Sequence, residues 1–172
     1  PGYDLITGAD DGERLWRHLL DGGRVAGIRP VGQEALTVVR VEQGVPAYGR
    51  ELGEDYNPLE ARLLDHVSFT KGCYVGQEVV TRLNTYKKVQ KFLMGLRWRA
   101  DDPPSAQARL LLEGKQVGVL TSAATSPVDA EGLGLGYVRK AHAQSGTILE
   151  LELGAGTVPA EVVDLPGHRD MG

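Results

Sequence analysis

The segment KGCYVGQE, residues 71–78, holds the chain's one cysteine. Cys73 follows Lys71 by two positions, and the residues from Cys73 to Asn84 carry the apolar spacing of a helix through Val75, Val79, Val80 and Leu83. A nearby ammonium and the positive end of a helix both favour a thiolate, the reactive form of cysteine. Gly72 would let the backbone turn sharply into such a helix. Cysteine is also among the most buried residue types and is usually inert when packed. The spacing alone leaves both readings open. A single cysteine forms no intrachain disulfide, and iron–sulfur clusters normally take four protein ligands. The four histidines show no metal-ligand spacing, so no metal site is expected. GLGLGY at 132–137 contains GxGxG without the rest of a dinucleotide fingerprint and reads as a glycine-rich strand.

The elements that must position these residues divide into two textures. Tyr3 to Thr7 alternates enough for a short strand. Asp10 and Glu13 have capping-box spacing, and Leu15, Trp16, Leu19 and Leu20 follow at helical intervals up to Gly22-Gly23. A helix is expected at about 11–21, and the strand-then-helix order suggests an α/β layer. Residues 31–43 are β-branched yet long and irregularly polar, so strand and helix both fit. Residues 44–58 are rich in glycine and proline and read as a long ordered loop. His66 to Phe69 reads as a short buried strand. From residue 88 the pattern changes to strands at 89–99, 108–113, 115–121, 133–139, 147–153 and 157–164, separated by turn signals such as Asp101-Asp102-Pro103-Pro104, Glu113-Gly114 and Gly154-Ala155-Gly156. Such spacing predicts a small barrel or sandwich. The expected fold class is α+β followed by a small antiparallel β-barrel, with one domain at 1–87 and the second at 88–172.

Composition narrows the classes. The 172 residues are 41% hydrophobic and 24% charged, which is ordinary for a globular chain, and the formal net charge is -4. That balance offers no general attraction to nucleic acid or to anionic membranes. No apolar run approaches the ~20 residues of a membrane helix. No signal peptide is recognised, and one cysteine fits a reducing compartment, so a cytoplasmic setting is expected. Arg82, Lys87, Lys88, Lys91, Arg97 and Arg99 form a local basic stretch. It is either a solvated surface or a rim that attracts an acidic small ligand. The chain opens at Pro1 without a methionine, as the later domains of a longer protein would.

The stretch from 40 to 82 resembles the hallmark region of the YgfZ proteins, folate-binding relatives of the glycine cleavage T protein. Arg40, Glu42, Gly44 and Pro46 match an R-x-E-x-G-x-P segment. Pro58, Glu60 and Ala61 match P-x-E-A. Lys71, Gly72, Cys73, Tyr74, Gly76, Gln77 and Glu78 match the signature K-G-C-Y-x-G-Q-E. GYDL at 2–5 and Pro30-Val31-Gly32 resemble the second domain of T proteins, and the stretch from 90 onward resembles their C-terminal barrel, including VGVLTSAATSP and LGLGYVRK. The resemblance implies a missing N-terminal domain, a central cavity for tetrahydrofolate, and a helix at 31–43. Two departures separate the chain from true T proteins: KGCYVGQE stands where they carry K-x-[DN]-[FY]-x-G, and Leu36 stands at the position of an arginine in their G-A-R-D-T-L-R-L-E-A-G run. Asp4 matches an acidic position that contacts the pterin.

The resemblance implies a tetrahydrofolate-binding protein that assists assembly or repair of iron–sulfur clusters in target enzymes. Cys73 and Lys71 would be the reacting pair, and Asp4, Arg40, Glu42, Tyr74, Gln77 and Glu78 the cofactor-binding set. The expected partners are folate and iron–sulfur enzymes or their assembly proteins. The alternative is a tetrahydrofolate-dependent, aminomethyltransferase-like one-carbon transferase. A third reading is an interaction module whose cysteine only packs.

Overall fold

The computed structural model describes residues 3–86, 89–100, 104–105, 107–128, 130–154 and 156–166. Lys87 and Lys88 of the basic stretch, the expected boundary between them, Asp101–Pro103 and Ala155 lie outside the described residues. The chain divides into two units, 1–36 and 37–172.

The first unit is helical. A 3-10 turn at Ala9–Asp11 leads into α1 (Gly12–Gly23), which ends where glycine makes continuation costly. Leu15, Leu19 and Leu20 are half-buried and Trp16 is exposed. The expected capping box is not formed. Asp10 lies within the 3-10 turn, and Asp11, at the N-cap, makes no side-chain cap bond and pairs with Arg14 at 2.8 Å. The expected strand at Tyr3–Thr7 is also absent. Residues 3–7 have no regular structure, and the described part of this unit contains no strand for them to pair with. Alternation of side chains cannot by itself satisfy a strand's backbone groups. The ambiguous stretch at 31–43 forms a helix, α2 (Gln33–Glu42).

The second unit is built on a closed antiparallel barrel of β1 (Lys91–Trp98), β2 (Arg109–Leu112), β3 (Lys115–Thr125), β4 (Gly132–Arg139), β5 (Ile148–Leu153) and β6 (Gly156–Val163), in the order β1-β4-β3-β2-β5-β6. Each expected strand of this half is present, with β3 extending to Thr125. Strand alternation sorts the side chains onto two faces. Met94, Leu96 and Trp98 of β1 point inward with Leu110, Leu120, Val138, Leu149, Leu151, Ala160 and Val162. Leu93 of β1 and Leu135 and Tyr137 of β4 point outward into a second cluster with Val41, Ala61 and Leu165. The barrel is therefore apolar on both sides along β1 and β4, and residues 41–63 cover the outer side.

That covering segment is fixed locally. Asn57 accepts bonds from the backbone N–H groups of Leu59 and Glu60 at 3.0 Å each, while Glu60 accepts from the Asn57 N–H at 3.2 Å. This reciprocal arrangement holds a tight turn. The Leu93 N–H donates to the Glu60 carbonyl at 2.8 Å and joins the turn to β1. Beyond it, His66–Phe69 is not the expected buried strand: a 3-10 turn covers Leu64–His66, and Ser68 and Phe69 are exposed. The six barrel strands already pair with one another around the closed sheet, so this run has no free ladder to join.

The helix expected from Cys73 begins later, as α3 (Gln77–Tyr86). Gly76 has φ +90°, a left-handed conformation that cannot continue a right-handed helix. Its carbonyl accepts from the N–H groups of Val79 and Val80 and so opens the first turn.

Candidate functional site

The predicted residues of the second unit fall into three places. Lys71, Cys73 and Tyr74 lie on the loop before α3, and Gln77 and Glu78 on its first turn. Cys73 is a free thiol, exposed to solvent. It stands four residues before α3, outside the single turn over which a helix end acts. The Lys71 ammonium lies 4.7 Å from the centre of the Tyr74 ring, a cation–π contact, and the Lys71 N–H donates to Ser68 Oγ at 3.2 Å. Glu78 is exposed and Gln77 and Tyr74 are half-buried.

Arg40 goes elsewhere. Its Nη1 donates to Glu51 Oε2 at 2.9 Å and to the Val45 carbonyl at 3.0 Å, and its Nη2 donates to Ser122 Oγ at 2.7 Å. Glu51 is completely buried. Its carboxylate also accepts from the Ala47 N–H at 3.0 Å, Thr121 Oγ1 at 2.7 Å and Ser122 Oγ at 2.6 Å. A register shift between Leu120 and Ser122 makes a bulge opposite β4. A bulge adds one unpaired residue and re-aims its neighbours, which lets the adjacent Thr121 and Ser122 both reach Glu51. The phenol of Tyr137 donates to the Glu51 carbonyl at 2.9 Å. The ion pair is thus supplied with the further hydrogen bonds that a buried charge requires.

Beside this network, the rings of Tyr56 and Tyr137 stack at 3.7 Å and 5°. The Lys91 ammonium stands 4.3 Å from the centre of Tyr56 and donates to the Asp55 carbonyl at 3.3 Å. Burial pushes the Tyr137 phenol well above its ordinary value, with Tyr56, Glu60 and Glu51 adding to the rise. Tyr56 is raised too, first by burial and then by Asp55, Glu51 and Glu60. The folded chain therefore prefers both phenols neutral. That contribution is complete below the unfolded phenol's value of about 10 and is lost as pH rises above it. The urea midpoint should fall as pH climbs past about 10, and Tyr56→Phe/Tyr137→Phe should flatten that fall. An equally steep fall in the double variant would show that other groups govern it.

Glu42, at the end of α2, lines the third place. This is a cleft of about 410 Å³ formed with β1, β4 and residues 163–166, and Arg97 of the basic stretch lines it as well. Arg99 instead donates two hydrogen bonds to Glu131. The described residues of the basic stretch therefore do not share one rim. Lys91 covers the tyrosine pair, Arg97 faces the cleft and Arg82 is exposed on α3. Asp4, in the first unit, is exposed. Among the described residues, no hydrogen bond or ion pair joins the Cys73 loop to the Arg40–Glu51 network. Sequence reasoning missed Glu51, Thr121, Ser122, Tyr56 and Tyr137. The signal that could have found them was the polar pair Thr121-Ser122 inside the otherwise apolar run of β3.

Helical and looped segments followed by a closed six-strand barrel define the class. Residues 1–71 match the GCVT N-terminal domain and residues 91–167 the glycine cleavage T-protein C-terminal barrel domain. Together these two stretches carry parts of both domains of the T-protein-like family. The chain is 35% identical over 170 residues to an aminomethyltransferase of Saccharopolyspora erythraea, covering 98% of this chain and 46% of that protein. An aminomethyltransferase of Streptomyces avermitilis is 34% identical over 172 residues, again with 98% and 46% covered. The crystal structure of glycine cleavage system aminomethyltransferase T from Bartonella henselae superposes with a TM-score of 0.78 at 26% identity, over 91% of this chain and 44% of that one. The chain spans about half the length of these relatives. Among the described residues, no helix is long and apolar enough to cross a membrane.

Proposed function

We propose that this chain is the middle and C-terminal part of a tetrahydrofolate-binding protein of the YgfZ kind, which uses Cys73 in the upkeep of iron–sulfur enzymes. The exposure of Cys73 carries this reading, because a thiol that meets a partner must be reachable. The match to parts of both T-protein domains supports the folate part. Residues 1–87 would be the remainder of the folate domain and 88–172 the barrel, completed by a missing N-terminal domain.

The donor set fits a folate in part. The Asp4 carboxylate is an acceptor-only group, able to take two hydrogen bonds from a pterin amino group and ring N–H. Tyr74, Gln77 and Glu78 lie close enough in sequence to Cys73 to orient its loop around a bound ring. Arg40 has its guanidinium engaged with Glu51, Ser122 and Val45, so its part is to hold residues 40–51 against the barrel. Glu42 remains available in the cleft. Tetrahydrofolate would supply a carrier for one-carbon units, and Lys71 would place positive charge near the thiol. The setting is cytoplasmic.

A second reading, a one-carbon transferase on an aminomethyl donor, is favoured by the relatives that carry that name. The two separate with the full-length protein. Under the first, Cys73→Ala binds tetrahydrofolate normally in a calorimetric titration but fails to restore iron–sulfur enzyme activity in cells lacking the protein. Under the second, the protein turns over an aminomethyl donor and Cys73→Ser keeps nearly the full rate. Full restoration of iron–sulfur enzymes by Cys73→Ala would remove the first reading. Absence of folate binding would remove both.

A further inference from the structure

Two residues singled out in the sequence, Glu42 and Arg97, line one cleft, and of the expected folate set only Glu42 lies there. The cleft, about 410 Å³, is within the usual size of small-molecule sites, roughly 300–1,000 Å³. Its apolar lining includes Val41, Leu133, Val163 and Leu165. Four charged side chains line it, and two of them are committed: Glu131 to Arg99, and Asp164 to Arg62 at 3.6 Å. The side chains of Glu42 and Arg97 make no hydrogen bond or ion pair with each other or with any described residue. A carboxylate and a guanidinium, both available, thus share one apolar-lined recess.

We propose that this cleft binds a small zwitterion with an apolar body, of the class of an apolar α-amino acid. Its carboxylate would take the planar fork of Arg97 and its ammonium would face Glu42, while the side chain covers the apolar lining. A ligand of one charge sign would leave the opposite protein charge unmatched. A polyanion such as a folate glutamate tail would meet three carboxylates for one available guanidinium. The proposal shares Glu42 with the folate set but reads a different ligand, so folate binding by the full-length protein and amino-acid binding by this cleft can each fail without the other.

Because Glu42 and Arg97 both reach solvent, each ionic contact contributes modestly, and an affinity on the order of 1 mM is expected. The test is a 15N-resolved NMR titration of the 172-residue chain with L-leucine, L-leucinamide and 4-methylpentanoate. Leucine should give saturable shifts at Gly95 and Gly134, which line the cleft, with each single-charge analogue bound roughly tenfold more weakly. Arg97→Gln should bring leucine down to the level of leucinamide, and Glu42→Gln to that of 4-methylpentanoate. The analogue series on the unaltered chain decides the matter even if a variant folds poorly. Equal binding of leucine and either analogue, shifts confined to other surfaces, or no saturation would overturn the proposal.

Discussion

Glu51→Ala is expected to destabilise the second unit by about 3–5 kcal/mol, the usual cost of removing one partner from a buried ion pair. Three elements depend on that carboxylate. It neutralises Arg40 at the end of α2, closes the turn at Ala47, and receives Thr121 and Ser122 from the barrel bulge. Without it the Arg40 guanidinium keeps only the Val45 carbonyl and Ser122 Oγ among the contacts described, and Ser122 loses its acceptor in a dry setting, while Thr121 keeps the Leu135 carbonyl at 2.9 Å. Glu51→Gln keeps the volume but replaces an acceptor with a donor, so an intermediate loss should follow. A combined Arg40→Met/Glu51→Leu replacement should recover much of the stability, since the cost lies in the uncompensated charge rather than in the absence of a pair. Urea unfolding followed by circular dichroism measures all three. A loss below about 1 kcal/mol for Glu51→Ala would mean that water or movement of Arg40 replaces the lost partner.

Trp98→Ala should cost a similar amount, about 3–5 kcal/mol, for a different reason. Trp98 ends β1 inside the barrel and is almost fully buried. The indole lies over two glycines of β4: a Cβ at Gly132 would come within 2.2 Å of its ring, and one at Gly134 within 2.9 Å. Those glycines leave the space that the indole fills, so truncation opens a cavity that their missing side chains cannot reduce. Gly134→Ala should also destabilise, by overpacking, because the added methyl would also sit 2.9 Å from the Ser122 carbonyl. If Trp98→Ala unfolds at nearly the native urea concentration, the interior closes over the gap and the packing argument is wrong.

The barrel was legible because its cues are local. Turn residues bracket each strand, and GLGLGY reads as a strand where glycine alternates with Leu133, Leu135 and Tyr137. The structure adds the reason for that alternation: glycines face the crowded interior and large residues face the covering segment. Residues 3–7 and 66–69 show the limit of such cues. Each has acceptable strand composition, but a strand exists only beside another strand, and composition does not reveal whether one is near. The later start of α3 was readable in principle from Gly76, since a glycine one residue before a helical run often marks its beginning.

The site was less legible. Cys73, Lys71 and Tyr74 were found together because they are neighbours in sequence. Arg40 was expected to be a cofactor residue, yet its observed partners include Ser122, 82 positions away, and nothing in the Arg40 region announces that pairing. Glu51 sits in a glycine-rich loop whose composition suggests exposure, and it is the most deeply buried charge among the described residues. Long-range pairings of this kind depend on register, which the bulge in β3 sets.

Because the six strands close on themselves, each barrel strand among the described residues has a partner on both sides, and none stands as an open edge for another polypeptide to extend. Recognition of any second protein through this half must therefore be written in side chains and loops, which are readily altered without disturbing the sheet. The scaffold can keep its shape while evolution changes what it meets.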